Sequence, residues 1–94
     1  METTLLQQAI KAITSGDKQR GQQLLTDLLK TDPNHEQAWL WLTQTDISGQ
    51  EKIKSLQHVL RINPKNEIAR AGLRQLQAQY RQYLAESKQK PTYD

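Results

Sequence analysis

The stretch LTDLLKTDPNHEQAWLWL, residues 25–42, returns as LQHVLRINPKNEIARAGL at residues 56–73, displaced by 31 positions. Leu25 pairs with Leu56, Leu29 with Leu60, Asp32-Pro33 with Asn63-Pro64, Glu36 with Glu67, Ala38 with Ala69 and Leu42 with Leu73. Each copy carries an apolar stripe at three-and-four spacing, a break at Asp-Pro or Asn-Pro, and a second stripe. That is the pattern of two helices joined by a turn. A unit this short cannot bury its own apolar faces, so the core is expected from stacking one unit on the next.

Outward from the repeat, the same reading covers the chain. Leu5, Leu6, Ala9, Ile10, Ala12 and Ile13 predict a first helix over about 3–14, with Thr3 or Thr4 as N-cap. Ser15-Gly16-Asp17 breaks it: Gly16 suits a left-handed C-cap and Asp17 caps a second helix over about 17–31. Two helices joined so tightly lie antiparallel. Asp32-Pro33 reads as a helix start, with Asp at the N-cap and Pro preset for the first helical position, and predicts a third helix over about 33–45. Ser48-Gly49-Gln50-Glu51 reads as a capping box opening a fourth helix to about 62. From Pro64 a fifth and longest helix is expected to about residue 87. The last residues, 88–94, show neither apolar period nor cap and are expected to form a disordered tail, leaving residues 1–87 as a single helical domain.

Composition agrees with an all-α chain. Fourteen glutamines, abundant Leu, Ala, Lys and Arg, a single Val and no Phe favour helix over strand. The absence of cysteine excludes a disulfide framework, a thiolate metal site and a cysteine nucleophile. No stretch approaches the roughly 20 apolar residues of a membrane span, and the start lacks a secretory pattern, so a cytoplasmic protein is expected. The net charge of +3 is unevenly spread: residues 1–47 hold four Lys/Arg against six Asp/Glu, and residues 48–94 nine against four.

The units resemble the tetratricopeptide repeat family. The residues carrying the resemblance are Trp39 and Leu42 in the first helix of the second unit, Pro33 and Pro64 ending the units, and Leu25 and Leu56 at the large apolar position of each second helix. Thr43 stands where the family usually has Gly, Asp46 where it has an aromatic, and Gly21 and Lys52 where it has Ala; the second unit is also short near Asp46 to Gly49. The resemblance implies a right-handed α-α superhelix of about two repeats with a capping C-terminal helix, concave along the first helix of each unit, where partners are held. Some members grip a peptide carboxylate there with Lys, Asn and Arg. The matching positions here are Leu6, Ile10, Trp41, Ile68 and Gly72, so that polar clamp is missing and an apolar groove floor is expected.

Trp39 and Trp41, the chain's two tryptophans, lie about 200° apart around a helix and cannot share a face. The resemblance places Trp39 between the helices of its unit. Trp41, with Leu40, Leu6, Ile10 and Ile68, is expected on the groove, where an indole would serve as a binding anchor. Tyr80, Tyr83 or Leu84 folding across it, or a homodimer, would cover the same surface. The expected function is a protein-interaction module, without catalysis or cofactor, holding an apolar or amphipathic peptide, as monomer or homodimer. The alternative is polyanion binding by Arg70, Arg74, Arg81 and Lys88, which share one face of the last helix. Nucleic acid is the disfavoured partner, since no known basic-aromatic module is present. His35 and His58 are isolated and without ligand-spaced neighbours, so no metal is expected.

Overall fold

The computed structural model describes residues 4–89, which form five α-helices and no strand. These are α1 Leu5–Thr14, α2 Lys18–Thr31, α3 Glu36–Leu42, α4 Gly49–Ile62 and α5 Glu67–Gln89. Each helix packs chiefly on its chain neighbour, so the molecule is extended, 63 × 29 × 21 Å. Its radius of gyration, 16.0 Å, exceeds the ~12 Å of a sphere-like domain of this length.

The first turns behave as their residues dictate. Thr4 accepts the Gln7 N–H while the Gln7 side chain accepts the Thr4 N–H, a reciprocal capping box. Gly16 adopts φ +98°, and Asp17 then caps α2 by accepting the Arg20 N–H. Ser48 caps α4 through the Glu51 N–H, but the Glu51 side chain does not return the bond, so one half of the expected capping box forms.

Both proline-marked starts fall later than expected. Asp32 C=O accepts the His35 N–H at 3.3 Å, and Asn63 C=O the Asn66 N–H at 3.1 Å, so each Pro sits second in a four-residue turn. Asp or Asn first and Pro second suits a β-turn as well as a helix start. The N-caps are instead His35, whose Nδ1 accepts the Ala38 N–H, and Asn66, whose Oδ1 accepts the Ala69 N–H. Helix α3 also stops at Leu42, short of residue 45. Thr43 Oγ1 donates to Leu40 C=O and the buried Thr45 Oγ1 to Leu42 C=O, both at 2.6 Å, and the backbone tightens to i→i−3 bonds over 43–45. At the other end α5 includes residues 88 and 89 of the expected tail; residues 90–94 lie outside the described residues.

The core has two parts. Ala9, Ile13, Leu25, Leu29, Ala38 and Leu42 form the larger cluster across α1, α2 and α3. Leu56, Val59 and Ala69 form the smaller across α4 and α5. Trp39 packs on both and joins them.

Candidate functional site

The tryptophans are separated as the helical period requires, yet both are half-buried. Trp39 Nε1 donates to Pro33 C=O at 2.7 Å, and its ring meets that of His58 at 4.4 Å. His58 Nε2 lies 3.2 Å from the same carbonyl oxygen. The late start of α3 is what leaves this carbonyl free to receive both rings, and it ties the α2–α3 turn to α4.

Trp41 packs on the larger core cluster with one side and lines a cleft of 590 Å³ with the other. The cleft lies between α3 and α5 over α4. Leu40, Trp41, Leu56, Ile68, Gly72 and Leu76 make its apolar surface, and Thr43, Gln44, Lys52, Gln75 and Gln79 supply its polar groups. Ile68 stands at 74% exposure, high for a large aliphatic side chain. Gly72 deepens the cleft, because a Cβ there would reach within 3.2 Å of Leu56 Cδ1 and fill the space above it.

Of the five residues expected on the groove, Leu40, Trp41 and Ile68 are thus brought together. Leu6 and Ile10 are not. Leu6 is half-buried against the larger cluster, Ile10 is half-buried on α1, and neither lines the cleft. Tyr80 and Tyr83 do not fold over Trp41 either. Helix α5 runs on to Gln89, and the two tyrosines line an adjoining depression, which shares Leu76 and Gln79 with the cleft, together with Ser48, Gly49, Gln50 and Ile53 at the start of α4. Their rings stack at 6.5 Å, and Leu84 beyond them is 40% exposed.

Arg70, Arg74 and Arg81 are exposed on α5, each two positions after a cleft-lining residue and so about 200° around the helix from it. The basic stripe and the cleft are therefore opposite faces of one helix; Lys88 occupies the same register on the last turn.

A polar link ties α3 to the turn between α4 and α5. Glu36 Oε1 accepts from Asn66 Nδ2 at 2.7 Å and from Asn63 Nδ2 at 2.8 Å. These two donors, Asn66 foremost, hold the Glu36 carboxyl below the ordinary carboxylate range against a smaller opposing effect of desolvation. Sequence spacing matched Glu36 with Glu67 but carried no sign of this link, which depends on how the turn before α5 lands on α3. No group of three His, Cys, Asp or Glu able to hold a metal occurs among the described residues, and none of their helices is long and apolar enough to cross a membrane. His35 serves as an N-cap and His58 as a ring partner of Trp39. Comparisons of the chain with protein-family models, curated proteins and solved structures gave no match.

Proposed function

We propose that the chain is a non-catalytic interaction module of tetratricopeptide-like build, which holds an apolar or amphipathic peptide segment of a partner protein in the α3–α5 cleft. The observation carrying this reading is the cleft itself: an apolar floor with Trp41 at one wall and the exposed Ile68 at the other. At 590 Å³ it falls within the ~300–1,000 Å³ typical of ligand pockets. An isoleucine this exposed beside an indole gains about 1.5–3 kcal/mol when fully covered. Gln44, Gln75 and Gln79 offer amide donors and acceptors to a ligand backbone without selecting for charge.

The test is binding of a panel of labelled amphipathic peptides to the wild type and to Ile68→Asp, which is exposed and so leaves the core intact. Peptides that bind the wild type should lose about tenfold or more in affinity with Ile68→Asp. Binding should change little between roughly 0.05 and 0.5 M salt, whereas attachment of a polyanion through Arg70, Arg74 and Arg81 would weaken steeply over that range. A panel whose binders are indifferent to Ile68→Asp removes the cleft from the account.

A further inference from the structure

A second hollow, of 520 Å³, lies on the other side of the α3–α4 seam and shares no residue with the cleft. Trp39, Leu42 and Ile47 form its apolar surface, and Lys54, His58 and Arg61 stand along one wall. Those three are spaced four and three residues apart on α4, so they are consecutive neighbours on one helix face, with Cβ atoms roughly 5–6 Å apart. Neither Lys54 nor Arg61 has a carboxylate within ion-pair distance among the described residues.

The repeat supplies an internal control. The positions 31 residues earlier on α2 are Gln23, Asp27 and Lys30, and there Asp27 and Lys30 pair at 3.7 Å. The first unit neutralises this stripe itself. In the second unit His58 replaces that carboxylate and the acid stands one turn before Lys54, at Glu51 in the register of Arg20, so Lys54 and Arg61 make no ion pair among the described residues. Trp39 also has no aromatic counterpart, since Gln8 and Arg70 occupy its register in the neighbouring units. The indole and the cations thus occur together at one place in the chain.

His58 is positioned, with its ring against Trp39 and Nε2 at Pro33 C=O. Glu51 lines the far end of the same hollow and repels an anion there, so the charge of a ligand is directed toward His58 and Arg61.

We propose that this hollow binds an acidic segment of a partner protein, with a large apolar side chain on Trp39, Leu42 and Ile47 and an adjacent carboxylate or phosphorylated side chain against Lys54, His58 and Arg61. A peptide fits better than single-stranded nucleic acid, which stacks its bases on open aromatic faces. The Trp39 ring is already engaged by His58 and its N–H by Pro33, which leaves an apolar floor.

The experiment uses the Trp41→Phe chain, in which Trp39 is the sole tryptophan and reports on the hollow. The probes are the peptide Glu-Glu-Leu-Phe-Glu-Glu, a version with phosphoserine replacing the second Glu, and a version with Ser-Ser replacing Leu-Phe. Saturable change in Trp39 emission is expected with the first two and loss of binding with the third. Tighter binding of the phosphorylated version identifies phosphate as the preferred anion, and equal or weaker binding identifies carboxylate. Lys54→Glu with Arg61→Glu should weaken binding about tenfold, while Arg74→Glu with Arg81→Glu, the same change in net charge, should leave it within about twofold. Equal weakening by both pairs reduces the effect to net charge and overturns the proposal. So does absence of a saturable change, or an oligouridylate that displaces the peptide and shows the same dependence on Lys54 and Arg61. Ile68→Asp leaves this site untouched, so its failure and that of the cleft are separable.

Discussion

At Gly21 a methyl group would run into Ile13 Cγ1 across the α1–α2 contact and come within 3.3 Å of the Ala9 carbonyl oxygen. Alanine is worth about 1 kcal/mol over glycine in a helix, but overpacking a filled contact costs about 1–3 kcal/mol. Gly21→Ala should therefore lower stability by about 1 kcal/mol in urea unfolding, against its helix propensity. The sequence presented Gly21 only as a departure from the alanine usual in the resembled family; the interhelix distance that makes it necessary is not written in any local pattern. Glu36 makes a second case. Its folded pKa lies below the unfolded one, so the stabilisation is fully present above the ordinary carboxylate range and is lost as pH falls through the folded value. Wild type should exceed Glu36→Gln in denaturant midpoint near neutrality, with the difference closing in acid; a difference independent of pH would show that charge plays no part.

At the scale of elements, the starts of α3 and α5 show where a local signal divides. Asp-Pro and Asn-Pro satisfy two rules at once, N-cap followed by Pro and the first two places of a β-turn. Tertiary contact decides between them, because the turn carries the Pro33 carbonyl to Trp39 and His58. The caps then fall to His35 and Asn66, three residues later. Asn66→Ala removes both a cap and a donor to Glu36, and should cost about 1–2 kcal/mol in chemical unfolding. Asp32→Ala removes no side-chain hydrogen bond and should stay within about 0.5 kcal/mol of wild type. The reverse order would restore Asp32-Pro33 as the helix start. Ser48, by contrast, was legible because its fold-defining bond is local, from the Glu51 N–H to its own hydroxyl.

At the scale of the molecule, the five helices of the described residues and their order were readable from apolar period and turn signals, since each depends on residues a few places apart. The cleft was readable only in part: Trp41 and Ile68 fill two registers of the repeat and Leu40 lies beside Trp41, but Ile10 and Leu6 fill those same two registers, and excluding them requires knowing how one unit is set on the next. The same stacking makes stability uneven, because in a linear array each helix is held by its neighbours alone. Helix α5 buries Ala69 and half-buries Leu73 and Leu76 against α4, but every residue from 77 to 85 is exposed. Amide exchange in α5 should therefore be slowest from about Ala69 to Leu76 and accelerate by an order of magnitude or more toward Leu84, as contact with the rest of the fold runs out. A dilution series gives the measurement its force. If Tyr80, Tyr83 and Leu84 are bare in the monomer, fast exchange there persists at all concentrations; if a second copy covers them, protection rises with concentration and solution scattering departs from the 16.0 Å radius of gyration of the single chain.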